Sequence, residues 1–121
     1  MASSILSLVS VASSNRQVEA RERVFDARLT SRNTSAIRLD VAARDLSYDG
    51  FDAEGSRPFA PSELFDVAFR GDDGWTVRLR VRVVDSQWMA VKNQAVCYLT
   101  RFQFVHSGAT ATRDVIDALL D

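Results

Sequence analysis

Apolar and polar residues alternate without a break from Trp75 to Val83 in the run WTVRLRVRVVD, and this period of two restricts the fold more than any other feature. Successive side chains of a strand point to opposite faces. The run therefore puts Trp75, Val77, Leu79, Val81 and Val83 on an inner face, and Thr76, Arg78, Arg80, Arg82 and Val84 on a wet one. A sheet with one dry and one wet face is antiparallel by preference. The same period recurs in VFDARLT, with Phe25, Ala27 and Leu29 inward, and in AIRLDVAARDLS, with Ile37, Leu39, Val41 and Ala43 inward. It returns in ELFDVAFR, through Phe65, Val67 and Phe69, and in AVCYLTRFQFV, which carries Tyr98, Phe102 and Phe104.

Turn residues separate these runs. GDDG, Gly71 to Gly74, reads as a hairpin turn. The segment from Phe51 to Ser62 holds both prolines and reads as an ordered loop that lays Phe51 and Phe59 against the body. SQWMAVKNQ reads as a looser connection that exposes Trp88 to a partner, and Cys97 as a small buried residue of the last strand. TATRDVIDALLD closes the pattern as a helix, with Thr110 or Thr112 as cap, Asp114 in the first turn, and an apolar stripe of Val115, Ile116, Leu119 and Leu120. Short antiparallel strands followed by one helix predict an all-β chain, a small closed or nearly closed barrel with the helix packed on it. With 121 residues, 46% of them hydrophobic, such a core stands without cross-links.

Several classes of function are disfavoured. One cysteine, Cys97, and one histidine, His106, leave no internal disulfide and too few soft ligands for structural zinc. There is no nucleophile signature, no glycine-rich phosphate loop and no metal-ligand spacing, so the expectation is no enzyme, no metal and no cofactor. A net charge of −1, from 15 basic and 16 acidic residues, gives no general attraction for nucleic acid or anionic membranes. The Arg78, Arg80 and Arg82 stripe lacks interleaved aromatics and reads as a solvated strand face. The start, MASSILSLVSVASSNRQ, has no basic residue before its apolar patch, which serines interrupt; it is a poor secretion signal. Residues 1–15 are expected to form a flexible tail, or a short element docked on a partner, ahead of a domain over 16–121. No run is long enough to span a bilayer, and a cytoplasmic location is the default expectation.

One short motif remains. DLSYDG, Asp45 to Gly50, ends a strand with an acid, a hydroxyl and a glycine. An Asp followed two positions later by a Ser bonds nearby backbone amides and makes a turn, and a glycine eases the chain through it. A carboxylate, a hydroxyl and exposed amides at a strand end are also what a guanine edge or a phosphate needs.

The order of elements around this motif resembles the PilZ domain family: an arginine-bearing N-terminal segment, two strands, D/N-x-S-x-x-G, a proline-containing loop, a hairpin, a final strand and a terminal helix. Asp45, Ser47 and Gly50 match the three fixed positions, and the likeness runs from about Arg16 to Leu120. The resemblance implies a six-stranded split β-barrel with a C-terminal α-helix that receives the bacterial second messenger cyclic di-GMP. It also implies a second motif, R-x-x-x-R, some two to three dozen residues before the acid, whose arginines hold guanine edges and phosphates. Here Arg16, Arg21 and Arg23 occupy that region in NRQVEARERV without the full spacing. The literal R-x-x-x-R, Arg28 to Arg32, falls in and just after the first predicted strand.

Two functions of different class follow from the resemblance. One is a receptor in which Asp45, Ser47 and the Gly50 loop meet cyclic di-GMP and Arg16, Arg21 or Arg23 close over it, signalling to a protein partner in motility, pilus or polysaccharide secretion. The other is an adaptor that keeps the barrel without the nucleotide, and the incomplete arginine motif favours it. Oligomeric state is not legible in the sequence.

Overall fold

A computed structural model of the chain describes residues 23–32, 38–93 and 95–121. Among the described residues seven strands are formed, β1 (Phe25–Ser31), β2 (Arg38–Arg44), β3 (Gly50–Gly55), β4 (Leu64–Gly71), β5 (Gly74–Trp75), β6 (Leu79–Lys92) and β7 (Ala95–Phe104), and one helix follows, α1 (Thr110–Leu120). Every strand pairing is antiparallel, as the alternation requires. The order β1-β2-β3-β7-β6-β4 returns to β1 through a β1–β4 pairing, so six strands close a barrel and β5 extends β4 as a two-residue arm. Closure removes the exposed edges that an open sheet would present.

The inward face of each strand carries the residues that period two assigns to it. Ala27, Leu29, Phe65, Val67, Phe69, Val81, Val83, Phe102 and Phe104 are at most 2% exposed, and all seven phenylalanines are buried. Phe51 and Phe102 stack with ring centroids 5.1 Å apart, and Phe59 meets both Phe65 and Phe102 edge to face at 5.3 and 5.6 Å. Offset and edge-to-face pairs use the ring quadrupole to add to simple area burial. Ile37 lies outside the described residues.

Four local expectations change in the structure. Phe51 and Phe59 are buried as foreseen, but Gly50–Gly55 is a strand and not a loop, with Phe51 and Ala53 inward. Its proline-bearing continuation is pinned where the Phe59 amide donates to Ser86 Oγ at 3.2 Å. The SQWMAVKNQ segment likewise continues β6 as far as Lys92, folding back onto β7 through a turn at Asn93, whose φ is 51°. Cys97 is half-buried there.

The third change lies before β6. The long alternating run is broken at 76–78, where Thr76 takes over the bonding of β4: its amide donates to the Phe69 carbonyl at 2.8 Å and its Oγ1 accepts from the Phe69 amide at 3.0 Å. Trp75 and Val77 are thereby turned out, 42% and 67% exposed, and the Arg28 guanidinium covers the Trp75 ring at 4.4 Å. The fourth is at α1, which is capped by extended Ala109 with no side-chain cap and has no acid in its first turn. Thr112 is spent inside, where it is buried with Ile116 and Leu119 against the barrel, while Leu120 faces out. The helix lies at the end of the barrel where β1 starts and β4 finishes, with Leu119 beside Gly71.

Candidate functional site

The DLSYDG segment leaves β2 with its side chains still alternating. Leu46 and Tyr48 turn toward the core, and Asp45, Ser47 and Asp49 turn to solvent. Asp45 takes a left-handed conformation, φ 54°, which Asp tolerates better than most residues. The Ser47 amide donates to the Gly50 carbonyl at 2.9 Å, Ser47 Oγ donates to the same carbonyl at 3.3 Å, and the Asp49 amide donates to Ser47 Oγ at 3.3 Å. The loop is then fastened to the barrel by the Phe104 amide, which donates to the Asp49 carbonyl at 2.8 Å. Gly50 is required sterically: a Cβ there would stand 2.0 Å from the Phe102 carbonyl oxygen.

These bonds settle how the motif presents itself. The Ser47 and Asp49 amides are used inside the turn, while the Asp45, Ser47 and Asp49 side chains face outward. Asp45, Ser47 and Gly50 are brought together, lining a hollow of about 450 Å³ with Asp49, Asp52, Val84, Arg101 and Gln103. That volume lies in the range of small-molecule sites. Strand register sets which residues surround it. Gly50, Gln103 and Arg82 stand in one row across β3, β7 and β6, and Asp52, Arg101 and Asp85 in the next. A bulge between Val83 and Asp85 leaves Val84 as the extra residue, turned outward into the hollow. Bulges often re-aim a side chain in this way.

Arg101 Nε donates to Asp52 at 3.2 Å, with the Arg101 side chain 64% exposed, and Arg82 Nη2 donates to Gln103 Oε1 at 2.7 Å. The carboxylates of Asp45, Asp49 and Asp52 outnumber the one lining guanidinium, so the hollow is suited to groups that donate hydrogen bonds, such as a guanine N1–H and amino edge. Arg101 and Gln103 were not singled out by sequence reasoning. Their alternation with buried Thr100, Phe102 and Phe104 marks them as outward, but only the pairing of β7 with β3 places them beside the motif.

Arg16 and Arg21 lie outside the described residues. Arg23 does not line this hollow: its Nη1 donates to the Leu120 carbonyl at 2.9 Å, at the C-terminal end of α1, and its guanidinium lies 5.2 Å from the Phe25 ring centroid. A cation there also meets the negative end of the helix dipole. Arg23 lines a separate hollow of about 690 Å³ between α1, the start of β1 and the β4–β5 turn, walled by five aspartates against Arg23 and Arg70. Arg28 pairs with Asp40 at 3.2 Å and Arg32 with Asp66 at 3.1 Å, so the literal R-x-x-x-R is a strand-face arrangement.

The motif loop also touches the helix. Tyr48 donates its hydroxyl proton to Asp117, and the Arg113 guanidinium lies 4.0 Å from the Tyr48 ring centroid. The hydrogen bond to Asp117 is the main reason the Tyr48 phenol titrates above its ordinary value of 10.0, with desolvation and the Asp117 charge adding to it and Arg113 opposing. Among the described residues no group of three or more His, Cys, Asp or Glu side chains is placed to hold a metal, and no helix is long and apolar enough to cross a membrane.

No family model matches the chain and no curated protein matches it in sequence. Among solved structures, the PilZ domain of YcgR from Escherichia coli, determined with c-di-GMP, superposes with a TM-score of 0.59 over 85% of this chain and 92% of that one, at 14% identity. The closed six-stranded barrel with its C-terminal helix is thus a PilZ-like fold.

Proposed function

We propose that this PilZ-like barrel is a receptor module for cyclic di-GMP, a binding protein and not an enzyme, and that it signals by contact with a protein partner. The observation that carries the reading is the assembly of Asp45, Ser47 and Gly50 around one hollow on the outer barrel wall. The solved neighbour with its c-di-GMP supports the choice of ligand.

The hollow supplies acceptors for guanine and one exposed guanidinium, Arg101. Two phosphodiester charges need more cations, and Arg16 and Arg21 are the candidates. The register of Phe25 opposite Ala43 brings the chain into β1 beside the exit of β2 toward Asp45. An extended chain covers about 3.3 Å per residue, so Arg21 sits roughly 7 Å of chain from Arg23 and Arg16 roughly 23 Å. In this reading Arg23 is the anchor at the helix end, and the two arginines before it reach over the ligand. Contact of those arginines with the ligand would change the surface offered to a partner in motility, pilus or polysaccharide secretion.

Titration calorimetry with cyclic di-GMP, with GTP as control, tests this directly. Saturable low-micromolar binding of cyclic di-GMP alone is expected, weakened tenfold or more by Asp45→Ala or Arg21→Ala. One bidentate, charge-assisted contact is worth about 1–3 kcal/mol, which sets that scale. Unchanged affinity in both variants would remove the site assignment. Absence of heat would favour the second reading, a nucleotide-independent adaptor. One observation supports that alternative: Ser47 and Gly50 each have a structural duty that needs no ligand.

A further inference from the structure

The hollow between α1, the start of β1 and the β4–β5 turn lies apart from the DLSYDG site, and two kinds of side chain line it that the barrel does not need there. The first kind is apolar. Thr76 turns Trp75 and Val77 out of the barrel, Val24 precedes β1 at 57% exposure, and α1 adds Val115 and Leu119 to the same cavity of about 690 Å³. Exposed apolar side chains gathered in a concavity of this size mark a place where something docks.

The second kind is acidic. Asp26, Asp72, Asp73, Asp114 and Asp121 all line the cavity, and all are exposed. Elsewhere on the barrel aspartates are matched by a neighbour, Asp40 by Arg28, Asp52 by Arg101 and Asp66 by Arg32. Among the described residues none of the five is in an ion pair. Against them stand Arg23 and Arg70, and Arg23 already donates to the Leu120 carbonyl. Five carboxylates and two guanidiniums leave this lining at −3, in a chain whose total is −1. A cleft lined mostly by one sign of charge focuses its field on whatever enters.

We infer that this cleft docks a partner protein through a segment that carries arginine or lysine beside apolar side chains. Long basic side chains suit both parts of the lining, since their methylene stems lie on apolar surface while their charged heads reach carboxylates. A small cation satisfies the aspartates and leaves Trp75 and Val77 in water. A second copy meeting the cleft face to face brings the same five acids, and like charge opposes it. Residues 1–22 of the chain itself carry two arginines, Arg16 and Arg21, and two glutamates, Glu19 and Glu22, and so offer no net positive charge. Charge complementarity therefore selects a basic partner, whether or not a nucleotide occupies the DLSYDG hollow.

The probe is a capped hexapeptide of alternating arginine and leucine, titrated into the full chain in a Trp88→Phe background, where Trp75 is the remaining indole. Trp75 emission is expected to shift and to saturate below about 1 mM peptide, and to lose most of that response when salt rises from about 0.05 to about 0.5 M. Glutamate–leucine and arginine–serine hexapeptides should bind at least about tenfold more weakly, the first for want of attraction and the second for want of apolar contact. Asp72→Asn combined with Asp73→Asn keeps residues that suit a turn and should weaken arginine–leucine binding about threefold to tenfold. Asp85→Asn, outside the cleft, should leave it unchanged. If the first double variant fails to fold, Asp114→Asn with Asp121→Asn carries the test. An unmoved Trp75, equal binding of the three peptides, or asparagine variants that bind as tightly as the parent would overturn the inference. So would Trp75 emission shielded from acrylamide before any peptide is added, which assigns the cleft to the chain's own residues. Sedimentation showing a dimeric parent and a monomeric double variant would overturn it too, by assigning the cleft to a second copy.

Discussion

Substitution of Gly50 by alanine separates what the DLSYDG motif does for the barrel from what it does for a ligand. A Cβ at position 50 would lie 2.0 Å from the Phe102 carbonyl oxygen and 3.0 Å from the Gln103 Cα, all backbone that cannot rotate aside. Ordinary carbon–oxygen contacts begin near 3.3 Å, so β3 and β7 must part locally by about 1.3 Å. The Gly50–Gln103 pair lies at the start of the β3–β7 ladder, and the Phe51–Phe102 stack follows immediately. Overpacking of this kind costs about 1–3 kcal/mol, with about 0.5–1.5 more for a weakened ladder bond. Restriction of the unfolded chain by alanine returns about 0.4–1 kcal/mol. The net loss is about 2–3 kcal/mol, and at roughly 4–8 °C per kcal/mol the thermal midpoint falls by about 10–20 °C. Gly55→Ala is the control: at the other end of the same strand, its Cβ would find only a Val41 methyl at 3.9 Å, and the midpoint should hold or rise slightly. Thermal unfolding followed by circular dichroism measures both. A Gly50→Ala midpoint within about 2 °C of the parent, or an equal fall in Gly55→Ala, would refute the steric argument.

Other outcomes follow from the same geometry. Arg101→Ala should weaken cyclic di-GMP binding about tenfold in calorimetry. Because an exposed ion pair such as Arg101–Asp52 contributes at most about 1 kcal/mol, the same variant should barely change the unfolding midpoint. Phe102→Ala removes the ring that meets Phe51, Phe59 and Phe65 and should cost about 3–5 kcal/mol in denaturant unfolding, a large part of the stability of a small domain. The Tyr48 phenol holds its proton more tightly folded than unfolded. Its contribution is therefore complete below pH 10.0 and disappears as pH rises through the elevated folded value. Stability measured against pH should show this alkaline loss in the parent and a shallower one in Tyr48→Phe, and tyrosinate absorbance should report the delayed ionisation.

The residues that made the barrel legible are those whose period is undisturbed. Phe65, Val67 and Phe69, or Ala27 and Leu29, need only alternation to be placed, and they are buried as alternation requires. The errors arise where something non-local intervenes. Trp75 and Val77 continue the period of Leu79, but Thr76 bonds back to Phe69 and turns them out, an event that depends on β4 lying alongside. Short β3 was hidden by its acidic outer face and by the prolines after it. Its strand character comes from pairing with β7, some fifty residues later in the chain. The site divides along the same line. Asp45, Ser47 and Gly50 were readable because they are contiguous, whereas Arg101 and Gln103 reach the hollow only through sheet register.

The pairing of β3 with β7 also orders events in time. During synthesis β1, β2, β3 and β4 emerge well before the strand that holds β3 in place, and the carbonyl of Asp49 has no Phe104 amide to receive until β7 is made. Pairings of such sequence separation form slowly, since chain closure must precede any gain from contact. The DLSYDG turn is therefore among the last parts of the barrel to become rigid on the ribosome. A fragment ending before Phe104 carries every residue of the motif without a fastened loop to display it.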